Sequence, residues 1–413
     1  MQQLFELQKL LLDQFQQQPF YNRHCFAEIN FDNSVTGILG MRGVGKTTFL
    51  LHTILNENKD AVKALYISAD HIYFLENKLL DLVEKLYKET DVRLLCIDEI
   101  HKYPNWQQEL KNTADFYLDF KILFSGSSMI DITHSKFDLS RRVTLYRLHG
   151  LSFREYIEFT QDIKLPAFNF TDLLAQHEKL AQSISIPQVL KHFNEYLTTG
   201  YFPFFKRFSD PLQILQAIEN IVQKTIYEDI AILFDLKTPT LLIIEKLYKY
   251  VVNSQPGELS AYKLASALSK DFDSISTYLH YLEQAGLVRM LHKKQSGKAY
   301  LRNPIKMYPE NANLIYASNL SQPQDMLIGK VRETFVINQF QNAGLLVYYS
   351  ESGDFEVNGI TFEVGGKNKT RRQIKDEKNA YILADGILTG SKDRLPLFLL
   401  GFMCNISHEN KTG

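Results

Sequence analysis

The chain has 413 residues, which is too long for one ordinary hydrophobic core, so we expect about two to four domains. Lysine and arginine number 46, aspartate and glutamate number 47, and the formal net charge of −1 excludes a chain-wide positive field for binding polyanions. The three cysteines, Cys25, Cys96 and Cys404, lack Cys-x-x-Cys spacing, so they indicate neither a zinc site nor a disulfide framework and are typical of a reducing cytosol.

The first part of the chain alternates short apolar runs with helical patterns. Its N-terminal stretch MQQLFELQKLLLDQF is amphipathic and has no basic n-region or cleavage site, so it is not a secretory signal. Strands separated by helices imply a parallel sheet with helices on both faces. We therefore predict an α/β P-loop domain over residues 1–164. Its buried strands are predicted at 34–39, 63–68, 93–98, 121–127 and 143–148.

A phosphate-binding motif follows the first predicted strand. The run GMRGVGKTTF, residues 40–49, fits the pattern G-x-x-x-x-G-K-[ST] and leads directly into a helical pattern. Backbone N–H groups of such a loop hold phosphates, Lys46 suits the β- and γ-phosphates, and the hydroxyl of Thr47 suits Mg²⁺. We therefore predict a site for ATP with Mg²⁺. Its predicted binding residues are Gly40, Gly43, Gly45, Lys46, Thr47 and Thr48.

Two acids end the third predicted strand, RLLCID, one strand–helix unit after the phosphate motif. Asp98 is placed for the Mg²⁺ shell, and Glu99 is placed to polarise the attacking water. An exposed acidic strand end is the ordinary alternative. The position of this run relative to the phosphate motif favours the catalytic interpretation.

Hydroxyls and arginines near the next two strands have open interpretations. In KILFSGSSMI, Ser127 or Ser128 either senses the γ-phosphate or belongs to a plain turn. Arg141 and Arg142 precede the fifth strand, and one of them either stabilises transition-state charge as an arginine finger or is simply solvated.

Three further regions follow residue 164. We predict a helical lid or linker over 165–252. A short helix, a turn, a second helix ending at Gly286 and two strands around Gln295-Ser296-Gly297 predict a winged-helix domain over 253–325. A helix followed by short strands predicts a small α/β domain over 326–413. Its apolar run LPLFLLGFMC is about half the length of a membrane span, so we expect a soluble, cytoplasmic protein.

These motifs together resemble one family. The matching stretches are GMRGVGKTT, LLCIDEIHKYPNWQQELK, ILFSGSS, LHGLSFREY and YLTTGYFPFF, then GKVRETFVINQFQNAG, DFEVNGITFEV and AYILADG. They resemble the bacterial and archaeal AAA-type P-loop ATPases that carry a restriction-endonuclease-like, PD-(D/E)xK C-terminal region. The resemblance spans nearly the whole chain and implies ATP binding and hydrolysis. It also implies that Arg142 is the family's arginine after the sensor strand.

A hairpin near the C-terminus brings acids together. In DFEV-NG-ITFEV, Asn358-Gly359 is the strongest two-residue signal for a type I′ turn. The resulting register places Asp354 opposite Glu363, with Cβ atoms about 5 Å apart, where like charges repel. By the resemblance, a divalent cation bridging Asp354 and Glu363, together with Glu333, forms a second metal site.

Two departures from the family pattern count against nuclease activity. Glu363 is followed two residues later by Gly365, where the family has a lysine, and the family's E-V-D triplet ends here in Asn358. Lys367 points to the same face if the strand continues, but it lies one residue pair farther along, about 7 Å away. We therefore expect a degenerate second site and no robust cleavage.

The preferred interpretation is an Mg²⁺-dependent ATPase whose nucleotide state moves the attached domains. Its expected partners are ATP and an unidentified protein or nucleic acid, with no membrane, and a homo-oligomer stays open. One alternative is a nucleotide-regulated switch that binds DNA through helix DSISTYLHYLEQAG and Lys293, Lys294 and Lys298. That helix carries Asp273 and Glu283 and no arginine, which is poor for reading bases. The other alternative is an ATP-dependent nuclease.

Overall fold

A computed structural model describes residues 1–31, 33–57, 63–127, 142–255, 258–259, 261–294 and 305–403. Ser128, Arg141, Lys298, Cys404 and the predicted turn at 295–297 lie outside these residues. The first unit contains Met1–His149, and the second unit contains Gly150–Ala231 and continues from Asp235. Each unit has its own sheet and is described separately.

Five parallel strands form the sheet of the first unit, in the order β2-β3-β4-β1-β5. The prediction of a parallel α/β sheet is confirmed, and every strand begins and ends within one residue of its predicted bounds. The strands are β1 (Val35–Leu39), β2 (Ala64–Ser68), β3 (Leu94–Asp98), β4 (Lys121–Gly126) and β5 (Val143–Arg147). The helices are α1 (Gln2–Gln16), α2 (Lys46–Glu57), α3 (Leu79–Glu89) and α4 (Trp106–Phe116).

Close packing around β1 requires a glycine inside this strand. β1 lies between β4 and β5, and all five of its residues are buried. A Cβ atom at Gly37 would lie 2.8 Å from Cε2 of Phe124 and 2.6 Å from Cδ2 of Leu145. The two large neighbours fill the space that a side chain would need, which keeps β1 and the loop that follows it in place.

Helices make up the next part of the chain, as predicted. The first of them is capped at both backbone positions that S-x-x-E predicts: Ser152 Oγ accepts from Glu155 N at 3.2 Å, and Glu155 Oε2 accepts from Ser152 N at 3.0 Å. The chain then interrupts its helices at the predicted Gly-Pro segment, with a π-helical turn at Tyr196–Gly200. The helices are α5 (Phe153–Gln161), α6 (Phe170–Ser183), α7 (Val189–Glu195), α8 (Pro211–Lys224), α9 (Ala231–Leu233) and α10 (Thr238–Asn253).

A small antiparallel sheet with two helices occupies the region predicted as a winged helix. Its elements are β6 (Glu258–Leu259), α11 (Ala261–Ala267), α12 (Phe272–Gln284), β7 (Val288–Leu291) and β8 (Ile305–Pro309), with strand order β6-β8-β7. Gly286, just past α12, has φ 70° as a helix stop requires. The partner of β7 lies later than the predicted turn implied, because Met307 and Tyr308 supply the apolar side chains that this sheet buries.

A mixed sheet forms the last part of the second unit. The predicted hairpin register is confirmed: Val357 pairs with Ile360 and Phe355 pairs with Phe362. Asn358 and Gly359 have φ values of 50° and 76°, as a type I′ turn requires. Strands β9 to β11 are antiparallel and β11 to β13 are parallel. The elements are α13 (Ala312–Ser318), α14 (Gln324–Asn342), β9 (Val347–Tyr349), β10 (Phe355–Val357), β11 (Ile360–Gly365), β12 (Ala380–Ala384) and β13 (Arg394–Pro396).

The chain divides into two compact units, and the bounds of the four predicted domains stay predictions. The first unit ends at His149, because α5 belongs to the core of the second unit. There the ring of Phe153 packs 5.1 Å from Phe193 and 5.9 Å from Phe402, centroid to centroid. The three regions predicted after residue 164 thus share one unit. None of the helices among the described residues combines the length and apolar content that crossing a bilayer requires.

The packing around β1 gives a stability prediction. Gly37→Ala should destabilise the first unit by about 1–3 kcal/mol, because the added methyl group overpacks the space filled by Phe124 and Leu145. The measurement is chemical denaturation followed by the fluorescence of Trp106, the single tryptophan, which lies in the first unit. Gly329→Ala is the matched control, since Gly329 is exposed on α14 with nothing within 4 Å of an added Cβ. An unshifted Trp106 transition in Gly37→Ala would contradict the packing argument.

Candidate nucleotide site

The loop after β1 bends through conformations that glycine favours. Gly43 and Gly45 have φ values of 83° and 104°, in the left-handed region where a side chain would be strained. At Gly40, a Cβ atom would collide with the carbonyl oxygen of Leu148, whose N–H donates to Leu39 O at 2.7 Å. The backbone therefore requires all three glycines of the predicted motif.

A helix N-terminus and a lysine complete this loop. Helix α2 begins at Lys46, and Phe49 N donates to Gly45 O at 3.0 Å. Lys46 Nζ donates to the carbonyl oxygens of Gly40, at 2.7 Å, and Met41, at 2.9 Å, so its ammonium lies over the loop. Thr48 is half-buried in the first turn of α2. The free N–H groups of a helix start and a nearby ammonium together attract anions such as phosphate.

Asp98 at the end of β3 meets this helix start directly. Thr47 Oγ1 donates to Asp98 Oδ2 at 2.6 Å. The carboxylate is only 6% exposed, and it also accepts from Tyr66 OH at 2.9 Å and from Ser125 Oγ. Burial and the Asp98 charge raise the pKa of Tyr66, so its hydroxyl stays a donor. The structure thus brings together the hydroxyl and the carboxylate that the sequence predicted for Mg²⁺.

Two of the Asp98 partners were not predicted. Tyr66 lies in β2, and Ser125 lies inside β4, two residues before Ser127. Ser127 is buried just past the end of β4, at the same edge of the sheet as Asp98. The available signal was a polar residue inside an otherwise apolar buried strand, which needs a polar partner.

Glu99 follows Asp98 in a left-handed conformation, with φ 52°. Its N–H donates to Ser125 Oγ at 3.0 Å and lies 3.2 Å from Asp98 Oδ1. Its carboxylate forms an ion pair with Lys102, which was not predicted. Glu99 therefore lies at the carboxyl edge of the sheet, but its side chain is engaged.

Arg142 lies at the amino ends of the strands, opposite to the phosphate loop. It precedes β5, and β5 runs parallel to β1 with Val35 beside Val143 and Leu39 beside Arg147. Five residues of strand separate Arg142 from the level of the phosphate loop, which is about 16 Å. Arg142 Nε instead pairs with Asp115 Oδ1 at 2.6 Å. In this position Arg142 does not reach the phosphate loop of its own chain, and its predicted role as an arginine finger stays a prediction.

The acids predicted for a second metal site each have a protein partner. Tyr308 OH donates to Glu333 Oε2 at 2.8 Å, Val364 N donates to Asp354 Oδ2 at 2.7 Å, and Glu363, fully buried, pairs with a lysine. Within the described ranges, no three His, Cys, Asp or Glu side chains are arranged to hold a metal ion. The predicted set of Glu333, Asp354 and Glu363 is thus not preformed as a metal site in the described part of the chain, and Glu363, whose oxygens accept no hydrogen bond, is neutralised there by the lysine.

The lysine beside Glu363 is Lys369, and not Lys367, which the sequence analysis placed one residue pair too far along the strand. Strand β11 ends at Gly365, so the chain turns and Lys367 does not continue the strand. The side chain of Lys369 folds over Gly365, where an added Cβ would lie 2.6 Å from Lys369 Cδ. The glycine that replaces the family's lysine therefore makes room for another lysine from four residues later.

The lysines proposed for DNA contact are also engaged. Lys293 pairs with Glu351, and Lys294 Nζ lies 2.6 Å from Glu356 Oε1. Both acids belong to the mixed sheet region of the same unit. Two of the three predicted phosphate contacts are therefore already neutralised.

Comparison with known proteins supports the P-loop assignment. A family model described as an AAA domain matches residues 32–157, and a model described as a domain of unknown function (DUF8612) matches residues 190–320. No protein with a curated description matches the chain. Residues 32–157 are therefore similar to AAA domains, which supports the predicted P-loop ATPase fold, whereas the predicted bounds and the winged-helix and endonuclease-like assignments stay predictions.

Solved structures of replication initiators show weak likeness. DnaA from Aquifex aeolicus with AMPPCP is 17% identical, with 63% of this chain and 84% of that chain covered and a TM-score of 0.26. A replication initiator DnaA with AMPPCP and single-stranded DNA is 17% identical, with 65% and 91% covered and a TM-score of 0.27. A DNA replication initiation factor is 15% identical, with 63% and 85% covered and a TM-score of 0.25. Scores of this size support no statement about the function of this chain.

The buried acids of the second unit give a pH prediction. Burial, and then the charge of Asp354, raise the pKa of Glu333 to about 7, with Glu363 adding to this shift and Tyr308 and Lys306 opposing it. An acid whose pKa is raised by folding stabilises the fold below its ordinary pKa, and this contribution is lost as the pH rises through the raised value. The stability of the second unit should therefore fall between about pH 4.5 and pH 7. In Glu333→Gln this part of the pH dependence should disappear.

The measurement is urea denaturation followed by far-UV circular dichroism across this pH range. Asp376→Asn is the control, because Asp376 is an exposed acid of the same unit. A Glu333→Gln profile parallel to that of the parent protein would contradict the prediction.

Proposed function

We propose that this chain binds ATP with Mg²⁺ and hydrolyses it, and that the nucleotide state moves its helical, winged-helix and nuclease-like parts. The observation that carries this proposal is the 2.6 Å hydrogen bond from Thr47 Oγ1 to Asp98 Oδ2, directly beneath a glycine loop and the Lys46 ammonium. A hydroxyl and a carboxylate are the oxygen ligands that Mg²⁺ uses beside substrate phosphates. The match of residues 32–157 to the AAA domain model supports the same chemistry.

Each residue of the site has a role in this proposal. The loop N–H groups and Lys46 hold the β- and γ-phosphates, and Thr47 and Asp98 would hold Mg²⁺, directly or through water. When bound, Mg²⁺ neutralises phosphate charge that develops in the transition state. Glu99 accepts a proton from the attacking water, so its carboxylate must face the γ-phosphate.

Two further residues keep the roles proposed from the sequence. Ser127, at the end of β4, contacts the γ-phosphate. Arg142, at the far edge of the sheet, acts only toward the site of a neighbouring copy. Both roles depend on the bound state.

The DNA-binding alternative has less support. Its helix lacks arginine, and Lys293 and Lys294 are paired with Glu351 and Glu356. A cation that is already paired gains little from a phosphate, because the new contact replaces an old one.

The nuclease alternative is favoured by one observation, the Lys369–Glu363 ion pair, which supplies a lysine that the sequence pattern lacks. It is opposed by the protein donors on Glu333 and Asp354, and by the absence of a group of three metal-ligating side chains among the described residues. We therefore propose that Lys369 serves as an internal counter-ion of Glu363, and that the second unit does not cleave nucleic acid efficiently.

The ATPase proposal is tested by two substitutions. Lys46→Ala should weaken nucleotide binding and abolish hydrolysis, because it removes the main side-chain charge on the phosphates. Glu99→Gln should still bind ATP but hydrolyse it about 10²- to 10⁴-fold more slowly, the usual contribution of a general base. The measurements are phosphate release and binding of a fluorescent ATP analogue. Lys121→Ala is the control, since Lys121 is exposed at the opposite end of the strands. Unchanged turnover in Lys46→Ala would show that the loop is only structural.

The nuclease alternative is tested with supercoiled plasmid DNA and Mg²⁺ or Mn²⁺. We expect no cleavage above the background of a Glu363→Ala variant, since the acids are held by protein donors. The assay is run with and without ATP, and efficient cutting in either condition that is lost in both Glu363→Ala and Lys369→Ala would overturn this expectation.

A further inference from the structure

Ion pairs connect the side chain of Glu99 to Lys102, and Lys102 to Asp70. Lys102 lies at the end of a short 3₁₀ turn, Ile100–Lys102, that begins directly after Glu99. Its Nζ lies 2.8 Å from Asp70 Oδ2 and pairs with Glu99 Oε2. Ser68 Oγ donates to Asp70 Oδ1 at 2.5 Å, which fixes the side chain of Asp70. Lys102 therefore bridges the carboxylates of Asp70 and Glu99.

The strand order shows where Asp70 lies relative to the phosphate loop. Asp70 comes after β2, which is the edge strand beside β3. The phosphate loop comes after β1, which lies on the other side of β3, beyond β4. Lys102 and Asp70 thus draw the Glu99 carboxylate toward the sheet edge and away from the loop that would hold ATP.

Hydrogen bonds at its N–H and its carbonyl oxygen hold the backbone of Glu99 in place. Its N–H is bound to Ser125 Oγ at 3.0 Å, and its carbonyl accepts from Lys102 N at 2.9 Å. Only the side chain is free to turn toward a phosphate. Moving it therefore means breaking the contact with Lys102.

The charged groups of Asp70, Lys102 and Glu99 are partly shielded from water. The side chains of Lys102 and Glu99 are 20% and 27% exposed, and that of Asp70 is 51% exposed. Burial opposes the charge of Lys102, but the pairs with Asp70 and Glu99 outweigh burial and raise the pKa of Lys102. Lys102 is therefore charged at neutral pH, and the Glu99 oxygen that it holds is not available to a water molecule.

We propose that Lys102 is a positioning residue that, with Asp70, holds Glu99 in a resting position, and that hydrolysis requires Glu99 to leave Lys102. This inference rests on the proposed ATPase function. It makes basal turnover slow for a reason that lies outside the phosphate loop. A ligand or partner that offers Lys102 another anion would then activate the site.

The test compares steady-state ATP hydrolysis by the full chain and its variants. Lys102→Met keeps the length of the side chain and removes its charge, and it should raise kcat about three- to fivefold at unchanged KM, the size expected for one partly exposed ion pair. Lys102→Arg retains the cation and should stay below Lys102→Met. Asp70→Asn leaves Glu99 as the remaining carboxylate partner of Lys102, so it should lower kcat relative to the parent protein, and this effect should vanish in combination with Lys102→Met, because both act on one contact. Since Asp70 is the most exposed member, Asp70→Asn keeps the test valid if Lys102→Met folds poorly.

Controls separate this inference from the proposed function. Lys88→Met removes an exposed lysine that pairs with Glu84 on α3, and it should leave kcat unchanged. Lys46→Ala and the double variant Lys46→Ala/Lys102→Met set the background. If the parent protein and Lys102→Met both match this background, ATP hydrolysis itself is refuted. If the parent protein exceeds the background but Lys102→Met has equal or lower kcat at the same KM, hydrolysis stands and the restraining role of Lys102 is overturned.

Discussion

One buried carboxylate connects the parts of the nucleotide site. Asp98 ends β3 with only 6% of its surface exposed, and it accepts hydrogen bonds from Thr47 on α2, Tyr66 on β2 and Ser125 on β4. A charge removed from water in this way is tolerated only when donors surround it. Because those donors come from three elements, the same contacts that satisfy Asp98 fix the loop helix and two neighbouring strands relative to β3. The need of the buried Asp98 carboxylate for hydrogen-bond donors therefore determines how the elements around the phosphate loop are arranged.

This arrangement separates two neighbouring acids. Asp98 is held firmly by neutral donors, whereas Glu99 is held by the charged Lys102, which is also bound to Asp70. Neutral donors keep the position of a carboxylate without cancelling its charge, which suits a metal ligand. A charged partner occupies the carboxylate and must be exchanged before the group accepts a proton. In the proposed function, Asp98 is therefore the fixed ligand and Glu99 is the group that must exchange its partner before hydrolysis.

The second unit follows a different physical rule, in which charged groups are satisfied internally. Arg289 is buried with Glu310, Gln341 and Asn342, and these contacts join the small antiparallel sheet to α14. Removing one member of such a buried pair would leave an uncompensated charge, which is strongly destabilising. The acids of the mixed sheet are likewise engaged by Tyr308, Val364 and Lys369. Charged groups that are paired within the unit are less suited to bind a metal ion.

The sequence by itself determined the features that neighbouring residues encode. Spacing of apolar residues located the five strands of the first sheet, the glycine motif located the phosphate loop, and Asn358-Gly359 fixed a hairpin register. Only the tertiary structure decided which distant side chains meet. Asp70 and Lys102, Asp98 and Ser125, and Glu363 and Lys369 are paired by chain paths that a local pattern does not contain, and the far position of Arg142 follows from the parallel pairing of β1 with β5. The reason is that strand order in the sheet does not follow chain order, so contacts across strands depend on a topology that only the folded chain specifies.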